Sequence, residues 1–91
     1  MKVTVFGSHL CPDALYAIVK LKDLGIGIDF QNISASLPTL KVFLAKRDGN
    51  PMFDEARAQG KVGIPLFVLE DGTETMDLDA VIALAKGKKQ G

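Results

Sequence analysis

The sequence predicts a single α/β domain built on a four-stranded mixed sheet, with the element order β-α-β-α-α-β-β-α. Three observations carry this. The chain opens on a strand pattern, a helical pattern and a second strand pattern, which together describe a right-handed βαβ unit with parallel strands. Asp71-Gly72 stands between two further strand patterns as a two-residue hairpin signal, so the other half of the sheet is antiparallel. Helical spacing fills the middle and closes the chain, which supplies helices for both faces of the sheet.

Each element has its own justification. Lys2-Val3-Thr4-Val5 alternates polar and apolar residues, and Phe6 and Gly7 close a short strand. From Pro12 to Leu24, Ala14, Ala17, Ile18, Leu21 and Leu24 share one helical face while Lys20 and Asp23 lie off it. Gly25 and Gly27 stop that helix. Ile28 to Asn32 alternates again as a second strand. Ser36 precedes the helical face of Leu37, Leu40, Phe43 and Leu44, which ends near Arg47 and is broken by Asp48-Gly49-Asn50. Asn50 caps the next helix, with Pro51 at its first position and Asp54 and Glu55 suiting the dipole of its opening turns. That helix is expected to run to Gly60. Leu66 to Glu70 reads as a buried strand and Thr73 to Met76 as its hairpin partner. Asp77 caps a last helix with Leu78, Val81, Ile82 and Ala85 inward, ending before Gly87. The domain is therefore expected over 1–86, with 87–91 a flexible tail.

Composition excludes several classes of function. The 91 residues suffice for one core, burying on the order of 60–70% of the unfolded surface. Eleven Lys and Arg balance eleven Asp and Glu, against the basic excess that binding to a nucleic-acid backbone requires. No apolar run approaches the roughly 18–20 residues of a membrane span, and Met1-Lys2-Val3-Thr4 begins a strand pattern, not a signal peptide. With one cysteine, Cys11, and one histidine, His9, neither an internal disulfide nor an ordinary Cys/His zinc site is expected. The expectation is a monomer in a reducing cytoplasm, with no nucleic-acid or membrane partner and no metal.

Cys11-Pro12 falls where the first strand hands over to the first helix. Cys11 at the N-cap would turn its sulfur toward the positive end of the helix dipole, where the amides of Asp13 and Ala14 are the expected donors. Pro12 has no N–H to lose there. A free thiol with a pKa of about 8.5 is only about 3% thiolate at neutral pH, and helix N-termini are among the settings that raise that fraction. Asp13 opposes the effect if its carboxylate faces the sulfur. The plain alternative is a small buried apolar residue. His9 is read as a solvent-facing loop residue, with pairing to the thiolate as its alternative.

Here the sequence resembles the glutaredoxin branch of the thioredoxin superfamily. Val5-Phe6-Gly7-Ser8-His9-Leu10-Cys11-Pro12-Asp13-Ala14 is similar to the family's strand followed by C-P-x-C. Gly63-Ile64-Pro65-Leu66-Phe67-Val68 is similar to its T-V-P-x-[VI]-F segment, and Asp77-Leu78 to the Asp-Leu that opens its last helix. The resemblance covers nearly the whole chain in order. It implies a thioredoxin-like fold, a nucleophilic Cys11 within the motif Cys11-Pro12-Asp13-Ala14, and a cis peptide bond at Ile64–Pro65. It also implies that the backbone of Ile64 receives the cysteinyl part of glutathione, and that the helix end at Asp77 takes part in glutathione binding.

The departures are as informative. Ala14 stands where two-cysteine members carry the resolving cysteine, so no internal disulfide can close, whether the alanine is natural or replaces a cysteine. Glu74-Thr75 occupies the place of the family's Gly-Gly before the last helix, and Glu74 is expected to weaken an anion pocket. Ser8 replaces a lysine three residues before the cysteine; Arg57 or Lys61 is the substitute, with solvated surface charge as the plainer reading. The branch with C-G-F-S that shares an iron–sulfur cluster between two chains differs from Pro12-Asp13, and no bound cofactor is expected. The resemblance thus implies a thiol–disulfide oxidoreductase with a single nucleophilic cysteine. Its co-substrate would be glutathione and its partners disulfide-bearing proteins. The alternative is a thioredoxin-fold binding module for a peptide or thiol ligand, without redox turnover.

Overall fold

The computed structural model describes residues 1–90. Its elements are β1 (Lys2–Gly7), α1 (Pro12–Asp23), β2 (Gly27–Asn32), α2 (Leu37–Arg47), a 3-10 turn (Pro51–Phe53), α3 (Asp54–Ala58), β3 (Leu66–Val68), β4 (Glu74–Thr75) and α4 (Leu78–Gln90). The four strands form one sheet in the order β2-β1-β3-β4. β1 and β2 are parallel, while β1–β3 and β3–β4 are antiparallel. The mixed α/β sheet read from the sequence is therefore the fold, and its strand order agrees with a thioredoxin-like arrangement.

Strand alternation decides what each face buries. Val3, Val5, Phe67 and Leu69 point to one side, where they pack with Ala17 and Leu21 of α1 and Val81 and Ala85 of α4. Phe6 and Leu66 point to the other side, against Phe43 of α2 and Phe53 of the 3-10 turn. Phe43 lies between two rings, tilted against Phe6 at 6.2 Å and edge-on to Phe53 at 5.9 Å. Offset and edge-to-face contacts of this kind add to plain area burial. The helices thus cover both faces.

Several boundaries differ from expectation, each for a local reason. Asn50 does cap, accepting from the Met52 N–H at 3.0 Å, but the helix begun at Pro51 is split. Its first three residues are 3-10, and α3 proper is five residues long. Phe53, the last residue of the 3-10 turn, is fully buried in the core. β3 and β4 are shorter than read, at three and two residues, because the hairpin closes early. Gly72 and Leu69 donate their N–H groups to the carbonyls of Leu69 and Thr73, and the Asp71 carboxylate accepts from the Thr73 N–H. α4 continues through Gly87 to Gln90, where the sequence reading stopped the helix before the glycine. Of the tail expected over 87–91, residue 91 lies outside the described residues.

Candidate functional site

The register places the site. Gly7 at the end of β1 pairs with Asn32 at the end of β2, Phe6 with Leu66 at the start of β3, and Phe67 with Thr75 in β4. Cys11, the turn after Asn32, Pro65 and Asp77 therefore all lie beyond the same end of the sheet. These are the segments that the sequence singled out, with one addition, the turn after β2.

Cys11 is the N-cap of α1, with extended backbone angles of φ −103° and ψ 111°, and Pro12 holds the first helical turn. Its backbone is fixed on both sides. The Cys11 N–H donates to the Ser8 carbonyl at 3.0 Å, and the Cys11 carbonyl accepts from the Leu15 N–H at 3.2 Å. The side chain is half-buried, free of any disulfide and not sunk in the core. One expectation is corrected here. The sulfur makes no capping hydrogen bond, so the amides of Asp13 and Ala14 are not its donors. Sulfur is a weak hydrogen-bond acceptor. Asp13 is exposed in the first turn of α1, whereas Ala14 is fully buried.

His9 is exposed, and its Nδ1 lies 2.8 Å from the amide nitrogen of Asn32. Across the sheet, the Ile64–Pro65 peptide is cis, as the resemblance implies. Ile64 and Pro65 are both half-buried, and neither the N–H nor the C=O of Ile64 has a hydrogen-bond partner among the described residues. That leaves a short free backbone edge able to pair with an extended ligand. Just upstream, Gly63 has φ +95°, and a β-carbon there would stand 2.6 Å from Phe53 Cδ1. The position needs glycine on both counts.

At the edge of β4, an open cleft of about 490 Å3 is lined by Met52, Glu55, Ala56, Gln59, Lys61, Thr75, Met76 and Asp77. Asp77 behaves as a helix cap, its Oδ1 accepting from the Asp79 N–H at 2.9 Å. The start of α4 thus already holds a carboxylate of the chain itself. Glu74 does not stand free, as its Oε2 is 3.0 Å from Lys46 Nζ on α2 and its charge is compensated there. Arg57 is taken up by structure. It donates to the carbonyls of Arg47 and Asn50 and pairs with Asp54. Of Arg57 and Lys61, only Lys61 lines the cleft.

Among the described residues no group of three or more His, Cys, Asp or Glu side chains converges as metal ligands, and no helix is long and apolar enough to cross a membrane. Leu10 beside Cys11 and Leu15, Tyr16 and Val19 on α1 are apolar and exposed. Sequence reasoning missed the contribution of Asn32 and Ser34. No motif marks them, but placing the two parallel strands in register would have set them beside the cysteine loop.

The fold and this end of the sheet define a small α/β protein with a half-buried cysteine at the mouth of its first helix. Similarity then supplies the family. The chain is 38% identical to a protein of Haemophilus influenzae, described only as uncharacterized, over 77 residues that cover 85% of this chain and 90% of that one. The two belong to one family. No family model matches the chain, and no solved structure matches it.

Proposed function

We propose that this protein is a glutaredoxin-like thiol–disulfide oxidoreductase that works through Cys11 alone. The observation that carries the reading is the placement of Cys11, half-buried at the N-cap of α1 with its backbone fixed and its sulfur uncommitted. In the forward step the Cys11 thiolate attacks the glutathione sulfur of a protein–glutathione disulfide. A new S–S bond joins Cys11 to glutathione, the old S–S bond breaks, and the protein sulfur leaves as thiolate. In the return step a second glutathione thiolate attacks that mixed disulfide, freeing Cys11 and forming oxidised glutathione. Each protein–glutathione disulfide reduced in this way consumes one free glutathione thiol and yields one molecule of oxidised glutathione. Ala14 cannot compete, so an external thiol must complete the cycle.

Two further features support the reading. The unpaired backbone of Ile64 offers an edge to the cysteinyl segment of a ligand at the same end of the sheet. The exposed Leu10, Leu15, Tyr16 and Val19 form an apolar surface beside Cys11 suited to a polypeptide carrying the disulfide.

A second reading, a binding module without redox turnover, is favoured by the cleft at Met52, Met76 and Lys61 and by the absence of a second cysteine. Treatment of the full chain with oxidised glutathione separates the two. The oxidoreductase reading expects a glutathionyl adduct on Cys11 that reduced glutathione removes, and none on Cys11→Ser. A chain that resists the adduct yet retains ligand binding in Cys11→Ser would establish the binding module instead.

A further inference from the structure

Cys11 is carried on a turn that is anchored from a different strand. Ser8, the first residue of that turn, is buried at 5% exposure, and a buried hydroxyl requires partners. It has two. Its Oγ accepts from the Leu10 N–H at 3.0 Å and shares a hydrogen with Ser34 Oγ at 2.5 Å. The carbonyl of the same Ser8 receives the Cys11 N–H. Next to this, the Asn32 side chain meets His9. The Asn32 Oδ1 is committed to the Ser34 N–H at 3.0 Å, so its amide nitrogen donates and His9 Nδ1 accepts. The Ile33 N–H donates to the Gly7 carbonyl at 2.8 Å, carrying the parallel ladder into the turn. The loops leaving β1 and β2 are thus joined side by side.

We propose that Ser34, with Asn32 beside it, is a positioning residue for the Cys11 thiol. It holds the Ser8–Cys11 turn through the Ser8 hydroxyl, while Asn32 holds the same turn through the His9 ring. The proposal rests on the reading of Cys11 as an attacking thiol. Attack on a disulfide proceeds in line with the breaking S–S bond, so a sulfur held in direction reacts faster than one on a loose turn. Neither Ser34 nor Asn32 touches the substrate in this scheme; both act through the turn.

The test compares the full chain with Ser34→Ala and Ser34→Thr in two measurements. One is the second-order rate of Cys11 with 2-hydroxyethyl disulfide, and the other is amide hydrogen exchange at Leu10 and Cys11. Ser34→Ala is expected to slow the thiol about fivefold, the effect of one hydrogen bond expressed in the rate. It is also expected to speed exchange at both amides while Val3 and Val5 in β1 stay protected. Ser34→Thr keeps the hydroxyl and restores both. Unchanged rate and exchange in Ser34→Ala, or a threonine variant that behaves as the alanine one, would overturn the proposal. A wild-type thiol no faster than free cysteine would instead count against the oxidoreductase reading, and the exchange comparison would still decide whether Ser34 braces the turn.

Discussion

Gly7 and Ala14 lie so close that a β-carbon added to the glycine would stand 2.8 Å from the alanine methyl. The contact presses the start of α1 onto the end of β1, one turn after Cys11. Gly7→Ala must push the helix mouth away from the strand, since the Ala14 methyl is attached directly to its backbone and cannot rotate aside. It is expected to cost about 1–3 kcal/mol, the usual range for overpacking. Gly27→Ala is the control, because its added carbon meets nothing nearer than the Met1 carbonyl at 3.6 Å. Its cost should stay within about 0.5 kcal/mol. Urea denaturation of the two variants measures the difference.

A second pair of glycines separates backbone strain from crowding. Gly60 and Gly63 both have positive φ, at +69° and +95°, but only Gly63 is crowded, against the buried ring of Phe53. Gly60→Ala should lose about 1–2 kcal/mol from the left-handed backbone alone. Gly63→Ala adds the collision and should lose more, about 3 kcal/mol or above. Equal losses by chemical denaturation would contradict the packing described around Phe53.

The Lys46–Glu74 pair ties α2 to β4 with both side chains about a quarter to a third exposed. At that exposure solvent screens the attraction, and a double-mutant cycle with Lys46→Ala and Glu74→Ala should give a coupling of about 0.2–1 kcal/mol. The coupling should shrink as salt is raised from low to molar concentration. A coupling that ignores salt would mean the pair is held by packing.

On the proposed function, residue 14 is expected to decide the fate of a Cys11 adduct. After oxidised glutathione, the present chain is expected to remain as a glutathionyl adduct. In Ala14→Cys the introduced thiol attacks the Cys11 sulfur, expels glutathione and leaves an internal disulfide. Intact-mass measurement distinguishes the two products. A persistent adduct in the variant would show that the buried position 14 cannot bring its side chain to the sulfur.

Much of the architecture was readable because each element obeys its own period. Val3 and Val5 alternate with Thr4, Ala17 and Leu21 repeat on one helical face, and Asp71-Gly72 marks its hairpin. Between Asn50 and Gly60 the pattern was weaker guidance, since the seating of Phe53 in the core, a tertiary demand, overrides a continuous helix. The end of α4 escaped for a related reason, as Gly87 lowers helix propensity without forbidding helix. At the site, Cys11, Pro12, Ile64, Pro65 and Asp77 were visible as motif residues. Ser8 with Ser34 and His9 with Asn32 were not, because their meeting depends on the β1–β2 register and leaves no local trace. The idle sulfur of Cys11 was also invisible, since a position at the N-cap does not fix a side-chain rotamer.

The central claim, that Cys11 exchanges disulfides by itself, meets its most direct test in turnover. The full chain would be mixed with a glutathionylated peptide and excess reduced glutathione, and release of the peptide thiol followed over time. The expected result is release many times faster than with glutathione alone in the single-cysteine chain, abolished by Cys11→Ser. Identical release with the wild-type chain, with Cys11→Ser and with no protein would contradict it.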